Sequence, residues 1–352
     1  MPDLTLKQAP ARTSGMTLQR RRESRRWAIL AGILLLLIAA MAGSLLLGAV
    51  RYRPDQGWAA VFSYNDAVLE QMIIRTTRLP RAMIAAAVGG SLAVAGAIMQ
   101  TLTRNPLASP GIPGINAGAS FLVVMAAVMF SVSSMPVLMV MGFAGAALAA
   151  VIVFALGSLG RGGLSPMRLL LAGAAISALF SSFTQGILVL NKQGLGSVLF
   201  WLTGTIAGRE PDMLIQCWPY LAACLVGAWA LAPQLNVLMM GEETAQGLGQ
   251  CTFMLKAALG VIVLVLAGGS VSIAGPIGFI GVVVPHLARF LVGVDHRWVI
   301  PFSAVLGALL LVTADLAARF IMMPEEVPVG VMTALIGAPF FIHAARKGMM
   351  RS

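Results

Sequence analysis

Charged residues in this chain gather at the ends of long apolar runs. Uncharged stretches extend from Trp27 to Val50, Asn105 to Gly160, Leu169 to Asn191, Met213 to Gly241, Ala257 to Ala288 and Trp298 to Ala314. A membrane-spanning helix takes about 20 residues, so the second and fifth of these stretches each hold more than one span. Strand-type alternation is absent, which argues against an outer-membrane barrel. The pattern predicts ten spanning helices, at about 27–50, 81–103, 110–131, 136–159, 168–190, 213–235, 254–272, 276–293, 298–319 and 329–345.

The arginines before the first run, Arg20, Arg21, Arg22, Arg25 and Arg26, assign its start to the cytoplasm, and the remaining spans alternate. Both termini then lie inside, while Arg78, Arg81 and Arg319 lie outside. The expected organisation is a basic, disordered cytoplasmic tail, 1–26, followed by one ten-helix membrane domain, 27–352. Ser24-Arg25-Arg26 before an apolar run containing Ala40-Met41-Ala42 has the look of an export signal. The run is too long for the roughly 7–15 residues of a signal core and many spans follow, so it is read as the first transmembrane helix.

Composition agrees with a bilayer as the main solvent: of 352 residues, 59% are hydrophobic and 11% charged. The net charge of +11 follows from topology and is no sign of nucleic-acid binding. Cys217, Cys224 and Cys251 form neither a disulfide framework nor a CxxC site.

Two segments repeat: Gly89-Gly90-Ser91 with Ala95-Gly96, and Gly268-Gly269-Ser270 with Ala274-Gly275, each followed by a proline, Pro106 or Pro285. An odd number of spans separates them, so the second copy is inverted, an arrangement found in transporters. The same small residues also suit close helix approach.

Catalytic chemistry is hard to find. No GxxxxGK[ST] loop is present to cradle nucleotide phosphates, and His286, His296 and His343 form no HExxH pair. His286 is read as a helix-packing residue. Asp315 is the one carboxylate deep in an apolar span and a candidate for proton coupling, but Arg319, four residues on, makes a structural ion pair equally suitable. Ser177, Ser181, Thr184 and Gln185 form a polar stripe on the fifth span, able to line a wet path or to bond neighbouring helices. The connection at about 239–252, with Gly241, Glu242, Ala245, Leu248 and Gly249, predicts a short amphipathic helix closed by glycines, as a docking element or as a plain solvated loop.

Several segments, in order, resemble the FecCD-type permeases of ATP-binding-cassette importers: Arg78-Leu79-Pro80-Arg81, Gly96-Ala97-Ile98-Met99-Gln100, Asn105-Pro106-Leu107-Ala108-Ser109-Pro110, Trp201-Leu202-Thr203-Gly204, Gly275-Pro276-Ile277-Gly278-Phe279-Ile280-Gly281, Pro285-His286-Leu287-Ala288-Arg289 and Glu326-Val327-Pro328-Val329-Gly330. The resemblance covers about residue 30 to the C-terminus. It implies an all-α membrane protein of ten transmembrane helices with the type II importer permease fold, spans 2–5 and 7–10 being inverted repeats. It further implies a homodimer in the bacterial inner membrane, two cytoplasmic ATPase subunits that bind ATP and magnesium, and a periplasmic or lipoprotein substrate-binding protein. The chain itself is then no enzyme and holds no cofactor. Its cargo is a ferric siderophore, with haem or cobalamin as alternatives. By the same resemblance Arg78, Arg81 and Arg319 meet the binding protein, Gly241, Glu242, Ala245, Leu248 and Gly249 meet the ATPase, and Ser177, Ser181, Thr184 and Gln185 line the path. A proton-coupled secondary transporter working through Asp315 is the rival reading.

Overall fold

The computed structural model describes residues 13–48, 50–111, 113–158, 166–190, 201–209, 211–323 and 325–346, and every regular element among them is helical. Among the described residues seven helices have the length and apolarity to cross a membrane: α1 (Thr13–Leu46), α3 (Leu69–Thr103), α5 (Met135–Ser158), α6 (Pro166–Leu190), α7 (Pro211–Ala230), α10 (Thr252–Ala274) and α12 (His296–Ile321). Three shorter apolar helices, α4 (Ile115–Met129), α11 (Ile280–Val292) and α13 (Val329–Arg346), complete the ten. Short helices α2 (Pro54–Phe62), α8 (Ala232–Met239) and α9 (Glu242–Gly247) join them.

The first helix departs from expectation. Helix α1 begins at Thr13, so much of the segment read as a disordered tail is helical. Residues 16–31 contain neither glycine nor proline and are rich in Leu, Gln, Arg and Glu, all good helix formers, so the helix has no reason to stop at the membrane edge. Residues 1–12 lie outside the described part. The sixth predicted span is also shorter than expected. It ends at Ala230 because Pro233 cannot continue the hydrogen-bond ladder, and α8 starts as a separate helix with that proline in its first turn.

Glycines let the backbones at the centre touch. A Cβ at Gly89 would collide with the Gly307 carbonyl of α12, and one at Gly96 with the Gly281 backbone of α11. Gly118 of α4 and Gly145 of α5 stand in the same relation. These contacts make α3 the centre of the bundle: 83% of its apolar window is buried, against 11% for α1 and 22% for α6. In lipid, close van der Waals approach of this kind replaces the hydrophobic effect as the force between helices.

The repeated glycines take exchanged places. Gly89 and Gly90 of span 2 pack on Gly307 and Ala304 of span 9, whereas Gly268 of span 7 packs on Ala146 and Phe143 of span 4. Span 2 against 9 and span 7 against 4 is the crossing that a two-fold exchange of the halves 2–5 and 7–10 requires. The prolines do not share this relation: Pro106 sits in the loop after α3, while Pro285 lies inside α11.

At one end three segments meet through backbone bonds. The Thr205 N–H donates to Ala274 O at 2.8 Å and the Gly330 N–H to Gly204 O at 3.0 Å. Gly275 adopts φ 74° with its Cα against the Trp201 carbonyl, a place no side chain would fit.

Candidate functional site

Three places carry polar side chains out of keeping with a lipid-facing bundle. The first joins α1, α3, α12 and the segment before α13. Arg81 grips Asp315 through Nε (3.0 Å to both carboxylate oxygens) and Nη2 (2.8 Å), and its Nη1 reaches Glu326 at 2.7 Å. Arg319 takes the other side of Asp315 at 2.6 Å and donates to the Ser44 carbonyl and hydroxyl, each at 2.8 Å. Asp315 is thus held by two arginines from two helices. The i,i+4 pairing with Arg319 was legible in the spacing; Arg81, Glu326 and Ser44 arrive from segments distant in sequence.

Arg78 lies beside this cluster, with its guanidinium over the Tyr52 ring at 4.3 Å and donating to Leu45 O at 2.8 Å and Val50 O at 2.5 Å. The three arginines expected to meet a partner do lie together, yet they are not free handles. The Arg319 side chain is 5% exposed and that of Arg81 14%, against 37% for Glu326. Guanidiniums this deep need carboxylates beside them, because an unpaired buried charge is costly.

The second place is α6. Ser181 and Gln185 are exposed, Ser177 is half-buried, and Thr184 faces α4, its hydroxyl donating to Phe180 O at 2.7 Å. The stripe therefore divides, with Ser181 and Gln185 turned outward, the Ser177 hydroxyl against Gly114 at the start of α4, and Thr184 satisfied within its own helix. Behind them Phe121 stacks on Phe180 at 5.2 Å and fixes α6 against α4.

The third is α9, at the opposite end from Asp315. Gly241 (φ 123°) and Gly249 (φ 80°) close it on both sides, as their spacing predicted. Ala245 is fully buried and Leu248 is 66% exposed, so the helix presents an apolar residue to solvent while anchored beneath. Glu242 accepts from Lys256 Nζ at 2.6 Å and from the Thr252 hydroxyl at 3.3 Å. The Lys256 hydrogen bond above all lowers the Glu242 pKa below its ordinary value. Next to α9, the α8 residue Asn236 ties down the start of α12: its Oδ1 accepts from the His296 N–H at 2.9 Å and its Nδ2 donates to Asp295 at 2.6 Å. The His296 ring also meets Thr101 Oγ1 of α3 at 2.7 Å.

His286 packs edge-on against Phe340 of α13 at 5.9 Å, a packing contact as expected. His343 falls where side chains are not described. Among the described residues no cluster of three metal-binding side chains occurs. Sequence reading gave no role to Gln100 and Arg289, which bond to each other between α3 and α11 while Gln100 Nε2 also donates to Gly281 O at 3.2 Å.

The chain matches the FecCD transport family over residues 34–347. It is 52% identical over 328 residues to a probable siderophore transport system permease protein of Bacillus subtilis (strain 168), covering 93% of this chain and 98% of that one. It is 43% identical to the ferric enterobactin transport system permease protein of Escherichia coli (strain K12), over 90% and 94% of the two chains. Against the hemin transport system permease protein of Yersinia pestis the identity is 40%, over 89% and 94%. A solved structure described as an inward-facing ABC transporter of metal-chelate type superposes with TM-score 0.80 at 30% identity, over 91% of this chain and 99% of that one. With the family match running from the second half of α1 through α13, and the all-helical fold reproduced in that structure, this chain belongs to the FecCD transport family.

Proposed function

We propose that the chain is the membrane permease of an ATP-binding-cassette importer for a ferric siderophore, working as two copies in the bacterial inner membrane. The observation that carries this reading is family membership through residues 34–347, with relatives named for siderophore and ferric-chelate transport. With no phosphate-binding loop in the sequence, ATP hydrolysis falls to a separate ATPase pair, which holds the nucleotide and magnesium.

Each polar place has a part in that cycle. Helix α9 and the exposed Leu248 offer the ATPase a small foothold, with Gly241, Glu242, Ala245 and Gly249 shaping it. Ser181 and Gln185 on the poorly covered α6 face the path between the two copies, with the half-buried Ser177 at its border; Thr184 braces that helix. Arg78 and Arg81 receive acidic side chains of a substrate-binding protein, and Arg319 backs them from below. A carboxylate reaches Arg81 by displacing Glu326, the more exposed of its two partners. ATP binding then draws the α9 segments together and tilts the two halves, so that the path opens alternately to each side.

Reconstitution with the ATPase and the cognate binding protein tests the reading. Binding protein loaded with a ferric siderophore is expected to stimulate ATP hydrolysis and uptake most; stimulation by the haem- or cobalamin-loaded form alone reassigns the cargo. Uptake driven by a pH gradient with no ATPase present overturns the whole scheme. The double arginine grip on Asp315 stands against that proton-coupled alternative, since both carboxylate oxygens are already engaged.

A further inference from the structure

At the α9 end of the bundle, the middle of α1, the start of α12, the end of α7 and Pro233 of α8 enclose a groove of about 570 Å³, lined by Trp27, Leu30, Trp229, Pro233, Trp298 and Arg297. Three of the six tryptophans in the sequence converge here. Trp27 and Trp298 meet edge to face at 5.1 Å, and the Trp229 Nε1–H donates to Arg297 O at 3.3 Å. Arg26 lies over the Trp298 ring at 5.5 Å and donates to Val292 O at 2.8 Å. Trp27 and Trp229 remain more than half exposed, at 62% and 57%.

The charge here is uncompensated. Among the described residues no acid lies within ion-pair distance of Arg26 or Arg297. Asp295, the acid nearest Arg297 in sequence, turns its carboxylate to Asn236 and to the Arg297 backbone N–H at 3.0 Å. Glu23, on the first helix, is exposed. Aromatic rings belong at the bilayer interface, basic pockets between spanning helices select acidic headgroups, and an arginine fork suits two phosphate oxygens at once.

We propose that this groove is a binding site for one anionic phospholipid of that leaflet. Its acyl chain lies along Leu30, Pro233 and the indole rings, and its phosphate meets the Arg297 and Arg26 guanidiniums. A zwitterionic lipid brings its own cation to the same place and gains less. A bound lipid would bridge α1, α7 and α12, adding to the packing of Leu30 and Ile33 with Val299 and Phe302 that already joins α1 to α12.

Native mass spectrometry of the full chain in detergent, with phosphatidylglycerol or phosphatidylcholine added, tests the site. Preferential retention of phosphatidylglycerol is expected. In Arg297→Gln that retention should fall about fivefold, the scale of one basic residue at an acidic surface, and Arg297→Lys should restore most of it. The Arg297 side chain is exposed and makes no ion pair among the described residues, so neither variant is expected to disturb the fold. Equal retention of the two lipids, or an unchanged Arg297→Gln, refutes the proposal. Displacement of the lipid by millimolar inorganic phosphate would make this a free-anion site and refute it too. An independent reading uses the wild type: tryptophan emission should be quenched more by dibrominated phosphatidylglycerol than by dibrominated phosphatidylcholine, and equal quenching also overturns the assignment.

Discussion

Asp315 is 1% exposed yet carries a formal charge, and the structure shows why it is tolerated: two guanidiniums close on it from opposite sides. Removing that charge alone leaves Arg319 buried without a counter-charge. Asp315→Asn should therefore destabilise the chain by roughly 3–5 kcal/mol, visible as a lower melting temperature in detergent, with the loss partly recovered when Arg319→Gln is added. An unchanged melting temperature would show that the cluster is hydrated and carries no such load. Glu242 stands at the other extreme. Its side chain is 42% exposed, so the pair with Lys256 is worth below about 1 kcal/mol to stability. Because its pKa is lowered on folding, its contribution is complete above the ordinary carboxylate range and disappears only as pH falls below it. Glu242→Gln should accordingly leave thermal stability near wild type at pH 7 while weakening the dependence of transport on ATP hydrolysis; ATP-coupled uptake at the wild-type ratio removes Glu242 from the coupling element.

Helices in this chain are set by two kinds of sequence signal, and they were legible to different degrees. Apolar length placed a helix at each of the ten positions, seven of them long enough to cross, and the glycines at 241 and 249 marked α9, because both are local properties of the chain. Ends were harder to read: span 2 begins at Leu69 rather than near 81, since a π-type turn at Ile74–Arg78 carries the helix through the charged segment. Partners separated by hundreds of residues, such as Arg81 with Asp315 or Gln100 with Arg289, were invisible because no local spacing encodes them. The glycine repeats were read as close-approach surfaces, and the structure gives the cost of disturbing one. Gly96→Val drives a branched side chain into the Gly281 backbone, which cannot move aside as a flexible side chain would. A loss of about 1–3 kcal/mol or failure to assemble is expected, measured by yield and melting temperature against Gly186→Val, where nothing lies within 4 Å.

Over the whole molecule, burial is uneven in a way that one copy does not explain. Helix α6 is as poorly covered as a peripheral helix although it carries the exposed polar groups of Ser181 and Gln185, whereas the outward face of α5 is apolar, with Val151 63% exposed. A lipid-facing surface and a path-facing surface should differ in their access to water. With the native cysteines replaced, Ser181→Cys in the assembled transporter should react with a membrane-impermeant thiol reagent and Val151→Cys should not. Equal reactivity at the two positions would remove α6 from the path.

Helix α12 has 26 residues and so reaches about 39 Å from end to end. Its foot is clamped by Asn236, in the segment leading to α9, and its head by Arg81 and the Ser44 carbonyl. In the proposed transport cycle a rod pinned at both tips should transmit a tug instead of absorbing it: a pull on α9 is expected to reach, one bilayer away, the arginines around Asp315, and a partner prising those arginines loose is expected to slacken the grip on α9 in return.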